Sequence, residues 1–450
     1  MDITKGLWQH QKDAVDYLDK RQTNGILLHG VGVGKTRTAL TYILKRKFKL
    51  VLVVGTKKGV RVWQNEVLSM NAPMLVNIFN SGKIIDRAKQ VYVTASFPHD
   101  FLPMLFVVSY ETLSNKKALE YLLKIKWDAI IIDEVHRLRN HTTNQSKAAN
   151  KLRIANPNAF RLGLTGTIIY TNPLNVFGIF RFIDPGVFGI HWDSFRFKYA
   201  VWVGQFRHIP VSFINQEDLR AKVQANAHIV DRHQVLDLPA EQHIVRTSSF
   251  SPSELKIYQT FSREYVAAIS DTKITAKTVL DKASKLQQLT GGFIYQKDQA
   301  IDFSKAKLEL LEELLEEIGN ERVLIFYRFD YEGKRIADLV RSLDLACFMV
   351  NGSIDQYEEF IQAENGVAVV QIASGSESLD FTTAGITIFY SLTQVYGQYI
   401  QALGRTSRGN QTRASVAYYY LIIEDTIDEK IYKALKKGVS LVDEILRRDI

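Results

Sequence analysis

Residues Gly30, Gly32 and Gly34 alternate along the chain, and Lys35-Thr36 follows them directly. The apolar run Ile26-Leu27-Leu28 precedes this segment, and a stretch with helical character, residues 38–44, comes after it. A strand, a glycine loop and a helix in that order form the context in which backbone N–H groups and a helix N-terminus hold phosphates. In such a loop, Lys35 contacts the β- and γ-phosphates of a nucleotide and the Thr36 hydroxyl holds Mg²⁺.

The first position of this loop departs from the strict pattern G-x-x-x-x-G-K-[ST], because it is His29. For this stretch taken alone, a glycine-rich turn with an incidental lysine is therefore an alternative interpretation.

Two adjacent carboxylates, Asp133 and Glu134, follow the apolar run Ala129-Ile130-Ile131-Ile132. Neighbouring carboxylates repel each other, so their pairing at a strand end favours a chemical role over a structural one. Asp133 is suited to bind Mg²⁺ through water, and Glu134 to polarise an attacking water. An ordinary exit from a strand into a loop is the alternative, which the glycine loop upstream disfavours.

The segment Gln401-Ala402-Leu403-Gly404-Arg405-Thr406-Ser407-Arg408 places two arginines three residues apart. On a helix, residues with this spacing share one face. Guanidinium pairs suit the spread charge of a phosphoryl-transfer transition state. A surface helix held by salt bridges is the alternative.

Apolar segments alternate with helical segments in both halves of the chain, and they are the elements that must position these residues. Besides the strands already named, they include residues 50–55, 106–110, 322–327, 366–372 and 385–390. Such alternation predicts parallel sheets with ligands bound at the carboxyl ends of the strands. We therefore expect two similar α/β lobes, of which only the first contains a phosphate loop.

Composition excludes several classes of protein. No apolar run approaches the ~18 residues that a membrane span needs, and the N-terminus has no secretion signal. The single cysteine, Cys347, excludes an internal disulfide and a cysteine-based zinc cluster. These features predict an intracellular, cytoplasmic protein that does not act in a membrane.

Positive charge is concentrated in the first part of the sequence. Residues 1–170 contain 26 Lys and Arg against 12 Asp and Glu, a net charge of +14, whereas the remaining residues contain 31 against 36. A basic first part favours a polyanionic partner such as nucleic acid, although a merely soluble surface is the alternative.

Four motifs in order resemble those of superfamily-two helicases: the glycine loop, Asp-Glu-Val-His at 133–136, Leu-Thr-Gly-Thr at 164–167 and Gln-x-x-Gly-Arg-x-x-Arg at 401–408. The finer match is to their Swi/Snf-like branch, the duplex-DNA translocases. Residues 7–18 resemble the opening motif of that branch, and residues 231–239 resemble its segment between lobes. The resemblance covers nearly the whole chain. It implies an α/β fold with two tandem RecA-like parallel-sheet lobes and helical insertions between them. The first lobe would span residues 1–230 and the second residues 231–450.

The resemblance also implies a role for each matched residue. Lys35, Thr36 and Asp133 would hold ATP and Mg²⁺, Glu134 would be the catalytic base, and Arg405 and Arg408 would be arginine fingers. Other contacts to the nucleotide would come from Gln11, which faces the adenine edge, Gly30, Gly32, Gly34 and Gln401. Nucleic-acid backbone would be touched by Thr56, Lys57, Ser109, Tyr110, Gly352 and Ser353. Coupling between the two sites would involve His136, Thr165 and Thr167.

The implied function is ATP-dependent movement along double-stranded DNA, with single-stranded DNA or RNA as other possible partners. Two alternatives stay open: a helicase that separates DNA or RNA strands, and an ATP-gated nucleic-acid clamp with little turnover. The loop at residues 373–380 departs from the family, because Glu377 and Asp380 place negative charge near the expected phosphate path. Because both lobes account for the chain, we expect a minimal motor, of a size that would suit a bacterial or viral genome.

Overall fold

A computed structural model describes residues 4, 6–56, 59–79, 82–97, 102–166, 173–203, 209–270, 276–296, 299–375, 379–408, 411 and 413–440. The chain divides into two compact units, Met1–Leu236 and Asp237–Ile450. The predicted division lay between residues 230 and 231. Each unit has its own sheet and its own core.

The first unit is built on a seven-stranded sheet in which all neighbouring strands are parallel. The strands follow the spatial order β3-β4-β2-β5-β6-β1-β9, and β7 and β8 form a separate antiparallel hairpin. Their bounds are β1 Gly25–His29, β2 Leu50–Gly55, β3 Leu75–Ile78, β4 Met104–Ser109, β5 Ala129–Asp133, β6 Phe160–Thr165, β7 Ala200–Val203, β8 Ile209–Phe213 and β9 Ala227–Val230.

Helices cover both faces of this sheet, which explains why its strands are almost continuously apolar. In β2, Leu52 and Val54 pack into the core on one face, and Val51 and Val53 pack into the core on the other. The helices are α1 Gln9–Arg21, α2 Lys35–Arg46, α3 Val60–Ser69, α4 Ile84–Ala95, α5 Tyr110–Ser114, α6 Lys116–Leu123, α7 Asn144–Ala155, α8 Val176–Ile183, α9 Pro185–Phe188, α10 Trp192–Tyr199, α11 Gln216–Ala225 and α12 Arg232–Val235. Short 3-10 helices span Val135–Leu138 and Pro173–Asn175.

The second unit repeats this architecture with a six-stranded parallel sheet in the order β10-β17-β16-β13-β15-β14. A small antiparallel hairpin, β11 with β12, stands apart from it. The bounds are β10 Ala240–Ser248, β11 Phe293–Gln296, β12 Gln299–Asp302, β13 Arg322–Tyr327, β14 Cys347–Val350, β15 Gly366–Gln371, β16 Ile386–Phe389 and β17 Ser415–Ile423.

Alternate residues of β13 again point into cores on opposite faces, Leu324 and Phe326 on one side, Val323 and Ile325 on the other. The helices of this unit are α13 Pro252–Ser270, α14 Ala276–Thr290, α15 Ala306–Ile318, α16 Asp330–Ser342, α17 Tyr357–Gln362, α18 Ile372–Gly375, α19 Tyr396–Leu403 and α20 Ile427–Lys436. The predicted fold class, two tandem α/β lobes on parallel sheets, is therefore confirmed. Within the described ranges, no helix combines the length and apolarity that crossing a membrane requires.

A buried ion pair between Lys307 on α15 and Asp428 on α20 fixes two helices of the second unit. The two side chains are 1% and 4% exposed. Asp428 also accepts hydrogen bonds from the Thr290 hydroxyl at 2.8 Å and from the Ile423 amide at 3.3 Å. All partners of the carboxylate are therefore supplied by the protein.

Replacing Lys307 with alanine should lower the unfolding free energy of the second unit by about 3–5 kcal/mol, because it leaves the Asp428 carboxylate buried without its cation. Urea denaturation followed by circular dichroism measures the loss. Lys433→Ala is the matched control, since Lys433 pairs with Glu429 at 2.7 Å on exposed α20 surface, and such pairs contribute about 0.5 kcal/mol or less. Equal losses in the two variants would contradict a structural role for the buried pair.

Candidate nucleotide site and arginine pair

The glycine loop lies between β1, which ends at His29, and α2, which begins at Lys35. Gly32 and Gly34 have φ angles of 84° and 77°, a left-handed conformation that favours glycine. Lys35 folds back over the loop, and its Nζ donates to the carbonyl oxygens of His29 and Gly30, each at 3.0 Å. The first turn of α2 leaves N–H groups without helical partners, as an anion site requires.

Helix α1 packs directly on this loop. His10 Nε2 donates to the Val33 carbonyl at 2.9 Å, and Gln11 Nε2 donates to the same oxygen at 3.2 Å. The other end of the Gln11 amide accepts from the Trp8 backbone N–H at 2.9 Å. A Cβ atom at Gly34 would lie 2.0 Å from Gln11 Nε2. Gln11 therefore packs on the glycine loop and helps to hold it in place. Its contact with adenine stays a prediction.

The acid pair lies at the carboxyl end of β5. Asp133 Oδ2 accepts a hydrogen bond from the indole Nε1 of Trp63 at 3.1 Å. Burial, followed by the neighbouring charge of Glu134, raises the pKa of Asp133 to about 6, and the charge of Lys35 opposes this shift. Two adjacent carboxylates are suited to a divalent cation, because a cation offsets the repulsion between their charges.

The backbone of the acid pair is held from the start of α5, directly after β4. Tyr110 is fully buried, and its hydroxyl donates to the carbonyl oxygens of Asp133 at 2.8 Å and Glu134 at 3.1 Å. Glu134 has a φ angle of 55°, which is uncommon for a non-glycine residue. Tyr110 was predicted to touch nucleic acid, but its ring is directed into the protein. Any contact with a backbone phosphate would have to come from its main chain.

Glu134, His136 and Thr165 form a connected group. His136 Nδ1 lies 3.1 Å from Glu134 Oε2 and 3.0 Å from the Thr165 hydroxyl. Thr165 ends β6 and is fully buried. The structure therefore joins two of the residues predicted to couple the sites, while the third, Thr167, lies outside the described residues.

His29, at the first loop position, is fully buried, and its Nε2 lies 2.9 Å from Nδ1 of His228 on β9. Its Nδ1 has no hydrogen-bond partner among the residues that the structure describes. Burial, and then the charges of His228, Lys35 and His10, lower the pKa of His29 to about 2. His29 is therefore neutral beside Lys35, whose Nζ donates to its carbonyl oxygen. This pairing could not be predicted from the sequence, because the two histidines are 199 residues apart.

Acid should destabilise the first unit through His29. The unfolded chain protonates this side chain below about pH 6.5, whereas the folded protein keeps it neutral, so stability is lost as the pH falls. The loss is about 1.4 kcal/mol per pH unit, or roughly 2–3 kcal/mol between pH 6.5 and 4.5. His29→Gln, which keeps a side-chain amide but cannot be charged, should lose that much less in urea denaturation over this range. An identical pH dependence in both proteins would contradict this.

The two predicted arginine fingers do not lie on a helix, which corrects the sequence-based expectation. Helix α19 ends at Leu403, and Arg405 and Arg408 lie in the turn that follows. They nevertheless converge, because Arg405 Nη1 and Arg408 Nη2 donate to the same carbonyl oxygen, that of Leu379, at 2.9 and 3.0 Å. Arg405 is only 5% exposed. Gln401 lies on α19 and is half-buried.

The predicted nucleic-acid contacts have varied surroundings. Thr56 is buried, and its hydroxyl accepts from the Gly59 amide at 3.0 Å. Ser109 accepts from the Thr112 amide at 3.3 Å at the start of α5. Gly352 and Ser353 are exposed in the turn after β14. Lys57 and Glu377 lie outside the described residues, and no nucleic-acid contact is tested by this structure.

Two family models match the chain. The SNF2-related domain matches residues 10–292, more than half of the sequence, and the helicase conserved C-terminal domain matches residues 306–410.

Several curated proteins are similar along almost the whole sequence. The ATP-dependent helicase fft1 of Schizosaccharomyces pombe is 23% identical over 94% of this chain and 51% of its own length. The ISWI chromatin-remodeling complex ATPase ISW1 of Saccharomyces cerevisiae is 22% identical, over 96% of this chain and 39% of its own length. The chain therefore spans about half the length of these curated relatives or less.

Among solved structures, the Sulfolobus solfataricus SWI2/SNF2 ATPase core in complex with dsDNA is similar, with 18% identity and a TM-score of 0.45. The alignment covers 99% of this chain and 94% of that chain. The match to the SNF2-related domain is independent of this likeness and spans the glycine loop, the acid pair and Thr165. The chain belongs to the SNF2-related family.

Proposed function

We propose that this protein hydrolyses ATP to move along double-stranded DNA. The observation that carries the proposal is a shared edge: the glycine loop with Lys35 follows β1 and the acid pair follows β5, so both lie at the carboxyl ends of strands in one parallel sheet. A lysine in a phosphate loop together with an acid pair at the same edge of a sheet is the arrangement that nucleotide hydrolysis requires. The two similar curated proteins, an ATP-dependent helicase and a chromatin-remodeling complex ATPase, support this proposal.

In the proposed mechanism, Lys35 and the first turn of α2 bind the phosphates, and Glu134 accepts the proton of the attacking water. The Thr36 hydroxyl and Asp133 fit a Mg²⁺ ion, since both offer the hard oxygen ligands that this ion prefers. Bound there, Mg²⁺ would neutralise charge on the phosphates. Tyr110 and Trp63 hold the acid pair in place, through the hydrogen bonds described above.

The second unit would contribute Arg405 and Arg408, whose guanidinium groups stabilise charge that develops on the transferred phosphoryl group. We infer that ATP brings the two units together and that product release separates them again. Each cycle then shifts the protein along double-stranded DNA. The His136 link between Glu134 and Thr165 is suited to transmit the state of the nucleotide within the first unit.

The excess of positive charge in residues 1–170 supports a nucleic-acid partner. The protein would bind its backbone phosphates, which is binding that does not depend on the base sequence. Thr56, Ser109, Gly352 and Ser353 are proposed contacts. The protein would act inside the cell, where its DNA is.

An ATPase titration with double-stranded DNA, single-stranded DNA and RNA side by side tests the proposal. The largest stimulation is expected with double-stranded DNA, and binding should weaken steeply with salt. A triplex-displacement assay beside a strand-displacement assay then separates the rivals, because a translocase strips the third strand and leaves the duplex paired. Strand separation would favour a helicase, and negligible hydrolysis with every nucleic acid would favour an ATP-gated clamp.

A further inference from the structure

The arginine pair of the second unit rests on a short segment, Leu379 to Thr382. The Leu379 carbonyl oxygen accepts from both guanidinium groups, and Asp380 Oδ2 accepts from Arg408 Nη1 at 3.0 Å. Since one oxygen bonds both arginines, their charged groups lie side by side.

Asp380 is itself held from several directions, through its carboxylate and through the backbone around it. Its Oδ1 accepts from the Thr382 amide at 3.0 Å, and its own carbonyl accepts from the Tyr357 hydroxyl at 2.8 Å. The Phe381 amide donates to the Arg405 carbonyl oxygen at 3.0 Å, which ties this segment to the arginine turn. Asp380 is therefore a fixed charge, built into the backbone that faces the arginines.

Two adjacent guanidinium groups repel each other, and each gains by turning toward water. The Arg408 and Asp380 side chains are 18% and 34% exposed, so solvent is within reach of both. The negative charge of Asp380 opposes that movement. From the sequence, Asp380 was expected only to place negative charge near the phosphate path. In the structure, this charge is compensated by Arg408.

We propose that Asp380 is a positioning residue for the arginine pair: its carboxylate holds Arg408 beside Arg405, in the place from which both act on the nucleotide. This inference rests on the proposed function, because it assumes that the arginines act as fingers. The ion pair itself, however, can be tested without any assumption about function.

Asp380→Asn is the informative variant, because asparagine keeps an oxygen to accept from the Thr382 amide but loses the charge that holds Arg408. We expect kcat for DNA-stimulated ATP hydrolysis to fall about 10-fold, with the KM for ATP changed less than about twofold, since the arginines act mainly in the transition state. In an Arg408→Ala background, the same substitution should cause no further loss in the rate of hydrolysis. Single-turnover hydrolysis of radiolabelled ATP measures this rate.

Glu321→Gln is the matched control, because it removes the acid that pairs with Arg413 at 2.8 Å elsewhere in the second unit. It should leave kcat unchanged. A wild-type kcat in Asp380→Asn, or an equal further loss in the Arg408→Ala background, would overturn the inference.

A double-mutant cycle in urea denaturation makes the two possible failures distinguishable. Coupling between Asp380→Asn and Arg408→Ala in unfolding free energy is expected whether or not the protein hydrolyses ATP. Absence of coupling would overturn the positioning role. Coupling without any DNA-stimulated hydrolysis in the wild type would instead overturn the proposed function, and the assignment of the arginines as fingers with it.

Discussion

Replacing Arg405 with alanine is expected to lower DNA-stimulated ATP hydrolysis by about 10³–10⁵-fold, the cost of losing an arginine finger in this chemistry. The second unit should stay folded, because the Leu379 carbonyl oxygen keeps its hydrogen bond from Arg408. Steady-state hydrolysis with saturating double-stranded DNA measures the loss, and circular dichroism checks the fold. ATP binding, measured without turnover, should change little.

Two further variants sharpen this experiment. Arg405→Lys keeps the positive charge but not the planar fork of donors, so most of the activity should still be lost. Arg413→Ala removes an exposed arginine of the same unit that pairs with Glu321, and it should hydrolyse ATP like the wild type. Undiminished hydrolysis in Arg405→Ala would remove the proposed contribution of the second unit to the nucleotide site.

Glu134→Gln should bind ATP and fail to hydrolyse it. Glutamine has the size of glutamate, but it cannot take a proton from water. Loss of a general base lowers the rate by about 10²–10⁴-fold. Calorimetric titration with ATP and Mg²⁺ measures binding, and single-turnover hydrolysis measures the chemical step.

Glu111→Gln is the control for this variant, because Glu111 is exposed on the short helix α5. It removes the same charge in the same unit and should leave turnover unchanged. Wild-type hydrolysis in Glu134→Gln would show that the base is another residue, and loss of ATP binding would show that Glu134 acts in the ground state as well.

Much of the candidate nucleotide site could be proposed from the sequence because its parts are local. An apolar strand followed by glycines and Lys35, or by Asp133 and Glu134, can be recognised from a few neighbouring residues. The residues that orient these groups were not predictable as partners. Trp63 meets Asp133 from 70 positions away, and His29 meets His228 from 199. Only the folded sheet brings such pairs together.

The conformation of the turn that contains Arg405 and Arg408 was predicted wrongly, because a rule about local spacing was applied where tertiary contacts determine the backbone. The three-residue spacing suggested one face of a helix, but α19 ends at Leu403. The following turn is held by buried hydroxyl contacts, including Thr406 with Tyr418 at 3.2 Å. The arginines converge because they share an acceptor, which spacing alone does not reveal.

The hydrogen bond from Trp63 to Asp133 gives this protein an optical reporter of its own. All five tryptophans precede residue 203, so indole fluorescence comes only from the first unit. Trp63 is completely buried, and its ring nitrogen touches the carboxylate proposed to meet the metal. The part of this emission that comes from Trp63 is therefore expected to change when the charge at Asp133 changes, whereas the second unit contains no tryptophan and adds no indole emission.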